Sequence, residues 1–326
     1  MMYDWANSAF YTTVVSVLVG PYLTALAQED VGRSGIVLSL GPVGSITAEN
    51  LFTTTLGVSI FLQVFLLPIL GAIADYTDLK KKMMAFFCYT GVIASSILYF
   101  VKGDSYLWGC LLLLIANICF AAANVFYNAF LIDVTTEDLR DKISSYGFAL
   151  GYLGGVLMLV LNFGLIFYAE QLGISQSRAV RISMLMASLW WGLFSILTFL
   201  LLKSRKTNRN RLRHRQLIKI GFRELWLTLR ELYGLKYTLM FLLAYLFYND
   251  GIQTVILNSS VFLSQELFIS RGLETSQTFL IGVFFVAQVA AFIGALCFER
   301  ISRLLGAKRT ILLSLMIWCA IVIYAY

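Results

Sequence analysis

Time after time this chain presents an uninterrupted apolar run of the length that crosses a hydrocarbon core, about 20 residues. Such runs stand near Tyr3–Leu26, Leu51–Ala74, Met83–Val101, Leu107–Ile132, Ile143–Ala169, Ile182–Leu202, Tyr237–Phe262, Thr278–Phe298 and Thr310–Tyr326. In lipid, every backbone N–H and C=O must be satisfied within the chain, so continuous apolar runs of this length read as α-helices. The expected fold class is an all-α membrane protein with nine spans. Composition agrees: 59% of residues are hydrophobic and 13% charged, against about 25% charged in an ordinary soluble domain. The first run is too long for a cleaved signal peptide, lacks a basic leader, and is followed by many more.

Charge placement predicts the orientation. With the N-terminus inside, all of the 25 Lys and Arg except Arg33, Lys102, Arg178, Arg181 and Arg271 fall on the cytoplasmic side. That asymmetry is the positive-inside pattern, and it accounts for the net charge of +7 without any nucleic-acid partner. The longest basic connection, between Lys203 and Lys236, divides the chain. The predicted organisation is a six-helix bundle over 1–202, a cytoplasmic linker over 203–235, and a partial second bundle over 236–326. Within the linker, Ile218, Phe222, Leu225, Leu229 and Leu232 recur at helical spacing. Such a face suits a helix lying on the anionic leaflet, or one capping the cytoplasmic ends of the bundle. Cys88, Cys110, Cys119, Cys297 and Cys319 all fall inside apolar runs with no paired spacing, and read as small buried hydrophobes. His214, the lone histidine, sits in the basic linker. No metal site and no cofactor are expected.

Against this apolar background the polar residues carry the information. Asp250 lies near the middle of Tyr237–Phe262, close to the midplane of a core about 30 Å thick. A carboxylate there is costly and by default marks a solute or ion pathway. The competing reading is a charge neutralised by a structural partner. Gln253, Thr254 and Asn258 follow Asp250 at three- and four-residue steps, and Asn249 precedes it. In the fourth span, Asn117, Asn124 and Asn128 fall on one helical face, as a cavity wall or as interhelical glue worth about 0.6 kcal/mol each. The first span opens with Asp4, Asn7 and Ser8 on one face, though Asp4 is near the boundary, where a charge is cheap. Gly147, Gly151 and Gly155 in the fifth span form a close-packing stripe. It is predicted to meet Ala287, Ala290, Ala291 and Gly294 of the eighth.

The loop Gly71-Ala-Ile-Ala-Asp-Tyr-Thr-Asp-Leu-Lys-Lys-Lys82 resembles the motif loop of the major facilitator superfamily in Gly71, Asp75 and Lys80, Lys81 and Lys82. The second glycine of that pattern is replaced near Asp78. The corresponding loop after the eighth span keeps Gly306, Lys308 and Arg309, but has Arg303 where an acid is the rule. More specifically, the chain resembles the vacuolar amino-acid effluxer-like, autophagy-related branch of that superfamily. The resemblance rests on Tyr3-Asp-Trp-Ala-Asn-Ser-Ala-Phe10, Tyr127-Asn-Ala-Phe-Leu131, Ser145-Tyr-Gly-Phe-Ala-Leu-Gly-Tyr-Leu-Gly-Gly155 and Tyr248-Asn-Asp-Gly-Ile-Gln-Thr254. It implies a twelve-helix fold of which about nine are present here, the C-terminal three lying outside the sequence. It also implies related halves, with spans one to three matching spans seven to nine, and amino acids as the substrate class.

The function expected is secondary transport of a small polar solute by alternating access, of the amino-acid efflux type, with protons as the coupling ion. Asp250 is the expected coupling or amine-binding carboxylate. Asn249, Gln253, Asn117, Asn124, Asn128, Asp4 and Asn7 are its candidate companions, and Gly71, Asp75 and Lys80–Lys82 the gating loop. Asp250, Asn117 and Asn124 are expected to share one space between the halves. The expected location is a multi-pass position in a bacterial inner membrane, or in a vacuolar or other internal membrane, with a cytoplasmic N-terminus. Two alternatives stay open: a receptor or scaffold on a transporter-like fold, and a different small solute. An intramembrane enzyme has no HExxH run or paired aspartate motif to support it.

Overall fold

The computed structural model describes the chain apart from residues 40, 42–43, 77–78, 203–222, 224–225, 228–229 and 326. The side chains of 75–76, 132–134, 137–142, 299, 303, 307 and 325 are likewise outside it. His214 and most of the linker's apolar face (Ile218, Phe222, Leu225 and Leu229) therefore lie outside the described residues, as does the Asp75 side chain.

The elements are α1 (Met2–Val31), a hairpin of β1 (Ile36–Ser39) and β2 (Ser45–Thr47), then α2 (Leu51–Tyr76), α3 (Lys80–Ile97), α4 (Tyr106–Val134), α5 (Glu137–Phe167), α6 (Gln176–Leu201), α7 (Lys236–Leu267), α8 (Gln277–Leu305) and α9 (Ala307–Ala325). Eight of these, α1 to α8, are long and apolar enough to cross a membrane. The ninth predicted span is a helix as expected. Its apolar part begins only at Thr310, after Lys308 and Arg309, and is shorter than the other eight among the described residues. Most helices overrun the apolar runs at one or both ends, because polar end turns project past the lipid-facing stretch. Ser175 and Ser276 cap α6 and α8 by accepting from the backbone N–H of Arg178 and Phe279.

The structure departs from an all-helical reading in one place. The connection 32–50 carries the small antiparallel hairpin, joined by the Arg33–Glu49 ion pair at 3.3 Å. The hairpin marks one end of the bundle, called here the hairpin end. Lys80–Lys82 mark the other, the basic end.

The core is built around α1. Its apolar stretch is 89% buried inside the molecule, whereas that of α7 is 0% buried. Phe10 stacks on Trp191 of α6 at 4.9 Å, and Phe120 of α4 packs edge-on to the same indole. α5 and α6 embrace the Met2–Ala9 segment, and α8 leans along α5. The middle of α1, Phe10–Leu18, is wound as a π-helix. Pro21 lies just beyond, with no N–H to give and a ring that crowds the preceding turn. Local π winding is one way a membrane helix re-satisfies carbonyls that a proline leaves without donors.

The glycine stripe of α5 faces α1, which corrects the predicted partner. A Cβ on Gly147 would stand 2.6 Å from an Asp4 carboxylate oxygen, one on Gly151 2.6 Å from Ser8 Oγ, and one on Gly154 2.6 Å from the Trp5 carbonyl. α5 and α8 do run together, but of these glycines only Gly155 reaches toward α8, near Gln288. The cysteine reading also divides. Cys88, Cys110 and Cys119 are buried, while Cys297 and Cys319 are exposed on α8 and α9.

Candidate functional site

In the π section of α1, three consecutive hydroxyls reach three different helices. Tyr11 donates to Gln253 Oε1 of α7 at 3.5 Å. Thr12 accepts from Gln288 Nε2 of α8 at 2.6 Å. Thr13 accepts from Asn162 Nδ2 of α5 at 3.2 Å. The first two bonds tie the 1–202 part to the 236–326 part near the middle of the bundle. Tyr11 is held in place by Phe120, the two rings stacking at 5.4 Å.

Toward the hairpin end the two parts are closed on each other. Thr53 of α2 donates to Asn258 Oδ1 of α7 at 3.0 Å. Gly20 of α1 lies so close to Val261 and Phe52 that an added Cβ would stand 2.8 Å from the valine. Ser260, Val261, Ser264, Leu280 and Ile281 are buried there. Toward the basic end, α7 approaches the π section and the Val19–Val31 stretch but makes no comparable approach to Met2–Ala9.

Asp250 sits one turn from Gln253, toward the basic end. At about 100° per residue it falls within the arc defined by Gln253, Asn258 and Val261, the face that α7 turns to α1 and α2. Its carboxylate is exposed and has no hydrogen bond or ion pair among the described residues. Asn249 beside it is half-buried.

The remaining candidates are distributed differently from the sequence expectation. Asn117 is buried and donates to Ser59 Oγ of α2 at 3.0 Å, with Gln63 joining the same hydroxyl at 3.1 Å. Asn7 donates to Asn124 Oδ1 at 2.9 Å, linking α1 to α4. Neither Asn117 nor Asn124 is hydrogen-bonded to Asp250 among the described residues: Asn117 is engaged with α2 and Asn124 with α1. Asp4 accepts a short hydrogen bond from Tyr127. Asp4, Tyr127 and Asn128 line a cavity of about 410 Å³ that opens within the 1–202 part, between α1, α4, α5 and α6.

In the gating loop, Gly71 has open space where a Cβ would go, so no close approach demands a glycine there. Lys80, Lys81 and Lys82 open α3. Lys81 Nζ donates to the Leu202 carbonyl at 2.8 Å, at the C-terminus of α6, where a cation is favoured by the unpaired carbonyls.

Sequence reasoning missed Tyr11, Thr12, Asn162 and Gln288. The hydroxyls were read as part of an apolar run. A run of three hydroxyl residues mid-span and two lone amides in otherwise apolar helices was the available signal.

The arrangement is a helical bundle in two parts, closed at one end and crossed by polar pairs. The chain matches the family described as Vacuole effluxer Atg22 like over residues 1–138 and 132–326. It belongs to that family. This Atg22-like chain is 32% identical over its full length to the "Uncharacterized MFS-type transporter YxiO" of Bacillus subtilis, covering 72% of that protein. It is 23% identical to Autophagy-related protein 22-1 of Neosartorya fischeri, over 83% of the chain and 56% of that protein. The same identity holds with Autophagy-related protein 22-1 of Aspergillus clavatus, over 92% of the chain and 60% of that protein. The chain thus spans less than two thirds of the length of these fungal relatives. No solved structure matches it. The fold is the all-α major facilitator type, and both the family description and the Bacillus name are those of transporters.

Proposed function

We propose that this Atg22-like protein moves a small polar solute across its membrane by alternating access, of the amino-acid efflux type. The 1–202 and 236–326 parts act as the two rocking bodies and 203–235 as their cytoplasmic connection. The observation that carries the reading is the asymmetry between the ends. The Thr53–Asn258 pair and the Gly20–Val261 contact shut the hairpin end, while toward the basic end α7 makes no comparable approach to Met2–Ala9. With the N-terminus and linker cytoplasmic, as the positive-inside pattern favours, this is a conformation open to the cytoplasm.

The solute meets Asp250 and Asn249 on α7, with Gln253 and Tyr11 at the closed boundary and Asn7 and Asn124 on the facing part. Asp250 exchanges a proton, or binds the solute's amine, once per cycle. Asp4, hydrogen-bonded by Tyr127, is the second carboxylate able to carry a proton, with Asn128 beside it. Asn117 braces α4 against α2. Asp75 and Lys80–Lys82 gate the basic end, with Lys81 fixing α3 to α6.

The test is uptake of labelled amino acids into liposomes containing the full-length gene product, with and without a proton gradient. Gradient-dependent uptake above that of empty liposomes is expected. Binding of amino acids without movement would favour the receptor reading instead.

A further inference from the structure

The residues between the two parts differ from a general polar cavity in their charge. The pairs that cross from one part to the other are amides and hydroxyls: Tyr11–Gln253, Thr12–Gln288 and Thr53–Asn258. Among the described residues, Asp250 is the one charged residue more than about two turns from a helix end. Every described lysine and arginine stands in a connection or within the first or last two turns of a helix. They run from Lys80–Lys82 opening α3 to Lys308 and Arg309 opening α9. Arg181 and Arg300 each stand five residues from a helix end. Arg300 is near the basic end of α8, and Arg181 is at the hairpin end of the first part, where it donates to the Tyr99 carbonyl and lies over the Tyr99 ring. Lys81 is engaged with the end of α6. Among the described residues, the middle of the bundle therefore offers the Asp250 carboxylate, neutral donors and acceptors, and no lysine or arginine.

Desolvating an ion is costly unless an opposite charge receives it. An ammonium entering this space gains Asp250, which has no other partner among the described residues. A carboxylate entering it has only amide N–H and hydroxyl donors, and meets Asp250 as a like charge.

Resting on the transporter reading above, we infer that the pathway selects by charge. It takes solutes of net positive charge carrying an ammonium group ahead of neutral ones, and rejects solutes of net negative charge.

Initial uptake of lysine, glutamine and glutamate, at equal concentration, by the full-length protein in liposomes tests this directly. Glutamine and glutamate are nearly isosteric, so their difference reads charge alone. The expected order is lysine, then glutamine, with lysine at least about tenfold faster than glutamate. A second variant guards against a trivial cause. Gln253→Lys places a cation on the same face, one turn from Asp250, and is expected to lower the lysine-to-glutamate ratio by at least about tenfold. Uptake of glutamate at or above the lysine rate would overturn the charge inference and leave the transporter reading standing. An unchanged ratio in Gln253→Lys, despite normal insertion, would also count against it. Movement of none of the three above empty liposomes would remove the transporter reading itself, and this inference with it.

Discussion

The first and seventh spans carry related motifs, Tyr3-Asp4 and Tyr248-Asn249-Asp250, yet the two helices have opposite surroundings. Within this chain, which covers 72% of the Bacillus relative, the apolar stretch of α1 is 89% buried, packed among the six helices of the first part, and that of α7 is 0% buried, in a part of three helices. Asp4 is held by Tyr127 against the glycine face of α5. Asp250 stands exposed on the face that α7 turns to the other part. The two carboxylates thus differ in their surroundings. Asp4 has a donor fixed beside it and a backbone packed behind it. Asp250 has no hydrogen-bond or ion-pair partner among the described residues.

The largest effect should come from removing the free carboxylate. In the full-length protein, Asp250→Asn is expected to insert normally but to bring gradient-driven uptake down to that of empty liposomes. Asp250→Glu should retain part of it. Were the Asn variant to transport at the parental rate with the parental pH profile, Asp250 would be a structural residue and the contrast with Asp4 would disappear.

Next is the enclosure of α1. Gly154→Leu forces a side chain onto the Trp5 backbone, and overpacking of this kind costs about 1–3 kcal/mol. Gly164→Leu, on the same helix, meets open space and should be near neutral. Thermal unfolding of the two purified variants separates the packing term from the intrinsic cost of replacing glycine. Equal midpoints would mean that α5 does not press on α1 as described.

The smallest effect is expected at Asn7–Asn124. Interhelical hydrogen bonds of this kind contribute about 0.6 kcal/mol, so a double-mutant cycle with Asn7→Ala and Asn124→Ala should return a coupling near that value. A coupling of zero would place the two amides apart in the membrane.

Much of this architecture was legible in the sequence, because lipid leaves the backbone few choices. Each predicted span from Leu51–Ala74 to Thr278–Phe298 corresponds to a helix, shifted or lengthened by a few residues at its ends. The isolated depth of Asp250 was legible for the same reason. What was not legible depends on tertiary choice. Tyr11, Thr12 and Thr13 are consecutive and so point about 100° apart on a helix, but the sequence does not say which helix stands in each direction. The asparagines of α4 do share a face, but a stripe that runs from Asn117 to Asn128 spans more than one contact. Asn117 therefore meets Ser59 and Asn124 meets Asn7. The glycines of α5 announced a close neighbour without saying which helix it was.

The central claim is that the two parts rock about a hairpin-end contact that opens and closes, and a cross-link tests it most directly. Cysteines in place of Thr53 and Asn258, whose side chains meet at 3.0 Å, would join α2 to α7 in a full-length protein cleared of native cysteines. The account predicts that oxidation or a short thiol cross-linker stops uptake, and that reduction restores it. Undiminished uptake in fully cross-linked protein would contradict it, because the closed end would then never need to open.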